Sequence, residues 1–163
     1  MFQKNDYVYW QASVKGIIYD RAGRVEFVVP AFKHPKEYVP DTFNFYGVGK
    51  PRDTVSFLIS VPGTNTLFWP NIEKIQSLGL NQWHILYDQR LKVRSRSRFN
   101  VDKTDRLKLR NLCELVCLLF NDAYYENEDF ITVPGWGKRF WFGLREGKEY
   151  IKYVEDFIPV KGV

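Results

Sequence analysis

The opening of the chain narrows its possible folds more than any other feature. Three successive runs, "DYVYW", "VKGIIYD" and "RVEFVVP", are dominated by β-branched and aromatic residues, and Asp20 to Gly23 supplies turn residues between the second and third. Such residues suit a pleated, half-buried surface, so the runs predict a twisted antiparallel beginning. A long connection, "AFKHPKEYVPDTFNFYGVGKPRD", contains three prolines and two glycines. Its Phe and Tyr content predicts an ordered loop with a short strand at Phe43 to Tyr46. "TVSFLISV" (Thr54 to Val61) reads as the next strand, and "PGTN" as a tight turn into "TLFW". "PNIEKIQSLG" places Pro70 at a first helical position, Ile72, Ile75 and Leu78 on one face and Gly79 as a stop. A short helix (about 71–78) is expected there. Alternation resumes in "WHILYDQRLKV", so Trp83 to Val93 reads as a long strand.

A different period governs "KTDRLKLRNLCELVCLLFNDAYY". Leu109, Leu112, Cys113, Val116, Leu119 and Phe120 recur at three- and four-residue spacings, and the later half is apolar nearly all round. One long buried helix (about 104–121) follows, entered through a cap at Asp102, Thr104 or Asp105. Beyond it, "KRFWFGL", "REGK" and "EYIKYVEDF" predict a hairpin turning at Gly147.

The fold class is therefore α+β with mostly antiparallel sheet. A chain of 163 residues with 45% hydrophobic content can build one core, so a single domain (1–163) is expected. Its parts would be a β-rich N-terminal part (1–69), a basic strand with the long helix (83–121) and a C-terminal hairpin (138–157). Asp6 before aromatic and valine residues, a Gly-containing second strand, a turn and then "VEF" are loosely similar to SH3-like or Tudor-like barrels over about 25 residues. That resemblance implies a small SH3-like or other β-barrel as the architecture, and it brings no functional residues with it.

Charge is concentrated. From Arg90 to Arg110 nine cations stand against Asp102 and Asp105, a local net of +7, so the rest of the chain sums to −2 within a total of +5. In "RLKVRSRSRF" every second residue is a cation: Arg90, Lys92, Arg94, Arg96 and Arg98. In a strand these would share one face about 6.6 Å apart, with Leu91, Val93 and Phe99 on the other. A helix would scatter them, and two serines disfavour it. The comb suits a phosphate backbone, and Trp136 and Trp141, beside Lys138 and Arg139, could stack bases. Lys103 and Arg106 near the N–H groups of the long helix would add an anion site to the basic surface such a partner would meet. The bland alternative is an edge strand guarded by cations, and another is a charged face turned inward on Asp122, Glu126, Glu128 and Asp129.

Little else carries chemistry. Cys113 and Cys117, one helical turn apart with no second His/Cys pair, read as core thiols, so no metal or other cofactor is expected. His34 and His84 are the only histidines, and "YGVGK" lacks phosphate-loop spacing, so no catalytic residue is nominated. An aromatic cage from Tyr7, Tyr9, Trp10 and Tyr19 is conceivable, though small barrels usually bury such residues. The start lacks a signal-peptide core and the longest apolar run is "LVCLLF", which leaves a cytoplasmic protein with no membrane partner as the expectation. The reading that follows is a non-enzymatic nucleic-acid-binding module, for DNA or RNA, favouring single-stranded or structured nucleic acid. The rival is a protein-interaction or inhibitor domain showing the same basic face to an acidic protein.

Overall fold

The computed structural model describes residues 1–62, 64–79, 82, 83, 85, 86, 89 and 104–157. It is a mixed α+β fold dominated by antiparallel sheet, and it divides into two compact units, Met1–Ser95 and Arg96–Val163.

The first unit is built on one sheet of six strands: β1 (Tyr7–Val14), β2 (Ile17–Val29), β3 (Asn44–Tyr46), β4 (Ser56–Ser60), β5 (Thr66–Phe68) and β6 (Gln76–Ser77). Their order is β3-β5-β4-β2-β1-β6, and every pair is antiparallel except β3 with β5. β1 and β2 are joined by Lys15 and Gly16, whose φ of 52° and 79° make the two-residue turn that matches strand twist. The turn expected at Asp20 to Gly23 is absent: those residues run through the middle of β2. Gly23 serves packing instead, because a Cβ there would run into the Ser60 carbonyl oxygen and lie 2.8 Å from Ile59 Cγ2.

All of β4 is buried, and its two faces feed separate clusters. Phe57 and Ile59 join Val8, Trp10, Val25, Val61 and Ile75, while Leu58 joins Val29, Leu67 and Trp69. The buried Trp69 indole donates to Ser56 Oγ at 2.8 Å, satisfying both groups. The sheet curls enough to bring the Trp10 and Phe68 rings to 6.1 Å although β2 and β4 separate their strands. It does not close, for among the described residues no ladder joins the β3 end to the β6 end. The small barrel expected from the opening residues is thus an open sheet.

Two further expectations fail here. In place of a helix over 71–78 stand a 3₁₀ turn, Ile72–Lys74, and the short strand β6. The apolar spacing of Ile72, Ile75 and Leu78 fits a helix, but pairing of Ser77 and Gln76 with Val8 and Tyr9 holds the backbone extended. Trp83, Ile85, Leu86 and Gln89 are helical rather than part of a strand, with Trp83, Ile85 and Leu86 buried. Gln89 bonds Ala22 through both amide atoms, at 2.9 and 2.7 Å, continuing the β2 ladder beyond the end of β4. The strand reading of Arg90 to Phe99 lies outside the described residues.

The second unit pairs an α-helix, α1 (Arg106–Phe120), with a sheet of β7 (Tyr125–Glu126), β8 (Phe130–Val133), β9 (Lys138–Arg145) and β10 (Lys148–Asp156), ordered β10-β9-β8-β7. Asp105 caps α1 by accepting from Lys108 N–H at 2.8 Å, and Asn121, at φ 54°, ends it. Leu109, Leu112, Cys113, Val116, Cys117 and Phe120 are buried, but Leu107, Leu118 and Leu119 are exposed. The helix is therefore amphipathic, shorter than expected and not enclosed all round. The C-terminal hairpin turns at Glu146 and Gly147 (φ 52° and 78°) as its sequence predicts.

Candidate nucleic-acid interface

Alternation along β9 sorts the residues of "KRFWFGL" onto opposite faces. Phe140 is fully buried with Ile131, Val133 and Ile151, and Phe142 lies under the Arg106 guanidinium at 4.8 Å, so these two serve the α1 side. Trp141 belongs to the other face. It stands opposite Phe130 of β8 and Tyr153 of β10, and the three rings form a cross-strand row. The Phe130 and Trp141 centroids are 4.7 Å apart and tilted, while Trp141 and Tyr153 are stacked at 5.7 Å and 13°. Tyr153 remains 51% exposed, enough to leave a ring face to solvent.

Arg139 flanks the row. Its guanidinium lies 4.5 Å from the Phe130 centroid and 4.6 Å from that of Phe157, its Nε donates to Thr132 Oγ1 at 3.0 Å, and Glu155 stands 3.7 Å away. The Trp141 indole donates to the same Glu155 at 3.0 Å, which fixes the ring's rotation. At the other end Lys152, at the register shift of β10, lays its methylenes where a Gly143 side chain would be, and Arg145 covers Tyr150 at 5.2 Å. The face thus combines five rings with Arg139, Arg145 and Lys152, and Glu155 engages both Arg139 and the Trp141 indole.

The remaining nominated cations have other neighbours. Arg106 bonds Glu126 and Glu149 and the carbonyls of Asn127 and Glu128, tying the start of α1 to the β7–β8 connection and to β10. Arg110 also pairs with Glu126, whose carboxyl is held below its usual range by the Arg110 hydrogen bond while Arg110 is raised in turn. Lys138 pairs with Asp156. Trp136 sits half-buried in the 3₁₀ turn Pro134–Trp136, between β8 and β9 in the chain. Arg90, Lys92, Arg94, Arg96, Arg98 and Lys103 lie outside the described residues. Phe130 and Tyr153 were not nominated from the sequence, since only the register of three strands places them beside Trp141.

Elsewhere the candidates disperse. Trp10 is buried in the core, whereas Tyr9, its neighbour on the opposite face of β1, donates its hydroxyl to Asp20 at 3.0 Å, so they cannot line one cage. Burial pushes the Cys113 thiol well up and that of Cys117 to about 12, leaving both protonated. Among the described residues no three His, Cys, Asp or Glu side chains converge as metal ligands would. No described helix is long and apolar enough to cross a membrane. No protein-family model matches the chain, and neither a curated protein nor a solved structure matches it.

Proposed function

We propose that this chain is a non-enzymatic, cytoplasmic nucleic-acid-binding module that prefers single-stranded DNA or RNA. The observation that carries the reading is the solvent-facing row Phe130–Trp141–Tyr153 with Arg139 beside it. Every base has a π face, so such a row accepts unpaired bases without a hydrogen-bond code. Arg90, Lys92, Arg94, Arg96, Arg98 and Lys103 supply the phosphate contacts, with Arg139 next to the rings. Arg106 and Lys138, which already have carboxylate partners, serve the fold in this reading.

The test is fluorescence anisotropy with labelled oligo-dT, oligo-rU and a duplex across a salt series. Single strands should bind best. Trp141→Ala or Tyr153→Ala should each cost about 1–3 kcal/mol, the usual worth of one stacked base. Unchanged affinity in both variants, or a salt-independent affinity, overturns the proposal. So does capture of an acidic protein, lost when Arg94, Arg96 and Arg98 become Ala, by a chain that retains no oligonucleotide.

A further inference from the structure

β1 has an open edge. It pairs with β2 along all eight residues but with β6 only at Val8 and Tyr9. The Leu78 N–H donates to the Tyr7 carbonyl, so the odd-numbered residues of β1 direct their backbone groups toward β6. By the same period Gln11 and Ser13 direct theirs past the end of β6, and among the described residues no backbone pairs with them.

A groove lies on each face of this edge. On the outer face, one of about 370 Å³ is lined by Tyr9, Gln11, Ser13, Ile18, Lys74 and Gln76. On the core face, one of about 280 Å³ is bounded by Ala12, Arg21, Arg52, Tyr46 and Phe68, with Lys74 on its rim as well. Gln11, Ala12 and Ser13 border both. An added strand would send alternate side chains into the two grooves while its backbone met Gln11 and Ser13, the arrangement by which sheet edges capture peptides.

The grooves differ in charge. In the core-face groove Arg21 stands over the Phe68 and Tyr46 rings at 4.5 and 5.6 Å. Arg52 lies on Trp69 at 3.7 Å, its N–H groups donating to the Trp69 and Pro70 carbonyls. On the outer face Asp20, held by Tyr9 and Gln11, offsets Lys74, and the exposed Ile18 gives an apolar wall. We propose that the β1 edge binds an extended peptide from an acidic partner protein, with carboxylates toward Arg21 and apolar side chains against Tyr9 and Ile18. This surface shares no residue with the aromatic row, so either proposal can fail alone.

The probe is a short fluorescein-labelled peptide of alternating glutamate and valine, titrated into the full chain by anisotropy. Saturable binding is expected, with none for the lysine–valine counterpart. N-methylation of the peptide's alternate amides should weaken binding at least about tenfold, as should Arg21→Gln. Ser13→Pro should do the same with an unchanged far-UV spectrum, because the Ser13 N–H is not used between β1 and β2. No saturable binding, indifference to N-methylation, or displacement of the peptide by oligo-dT overturns the inference. A dimer of the free chain that Ser13→Pro dissociates also overturns it, since a second copy would then hold the edge.

Discussion

Gly23 is a residue whose sequence context and structural role diverge. Within "DRAG" it looks like a turn glycine, yet it lies in β2 with its α-carbon facing the backbone of β4. A side chain there meets the Ser60 carbonyl, which the ladder holds in place and which cannot rotate away. Gly23→Ala is therefore expected to destabilise the first unit by about 2–3 kcal/mol, in the range of core overpacking, read as a lower urea midpoint. Glu126 gives a second prediction at this scale. Its carboxyl is depressed in the folded chain, so the stability it contributes is present above the unfolded value of about 4.3 and is lost as pH falls from there through the lower folded value. Urea midpoints measured between about pH 6 and pH 3 should show a decline that is shallower in Glu126→Gln. Arg110 is partly exposed, and salt should weaken the effect.

Elements were legible wherever local pattern and pairing agreed. The C-terminal hairpin, β4, β5 and the body of α1 follow from alternation, turn chemistry and helical spacing. The Asp105 cap was one of three candidates, and its bond to Lys108 N–H selects it. Asp105→Ala should cost about 1 kcal/mol, seen as a lower midpoint with helical content otherwise retained. The misread elements share a cause. Ile72 to Leu78 carries helical spacing but is held by β1, and Trp83 to Gln89 carries strand-like alternation while Trp83, Ile85 and Leu86 are buried with helical backbone. In short segments period is weak evidence, and tertiary contacts outweigh it.

For the whole molecule the question is where the excess charge resides. In the second unit Arg106 and Arg110 share Glu126, Arg106 also meets Glu149, Lys138 meets Asp156 and Arg139 meets Glu155. These pairs leave the charge excess concentrated in the sequence from Arg90 to Lys103. If the five alternating cations each contact a phosphate, log affinity for a single strand should fall with log salt at a slope of about −3.5, and replacing Arg94, Arg96 and Arg98 by Ala should bring it to about −1.4.

The sequence by itself determined the class of the fold, the placing of most strands, the presence of a helix through Arg106–Phe120 and the local concentration of charge. All of these follow from composition and from periods spanning a few residues. Tertiary structure alone decided that Phe130, Trp141 and Tyr153 form one row, that Glu126 takes both Arg106 and Arg110, and that β6 stops short of Gln11 and Ser13. Each depends on register between segments distant in the chain, where a shift of one residue would turn every side chain to the opposite face.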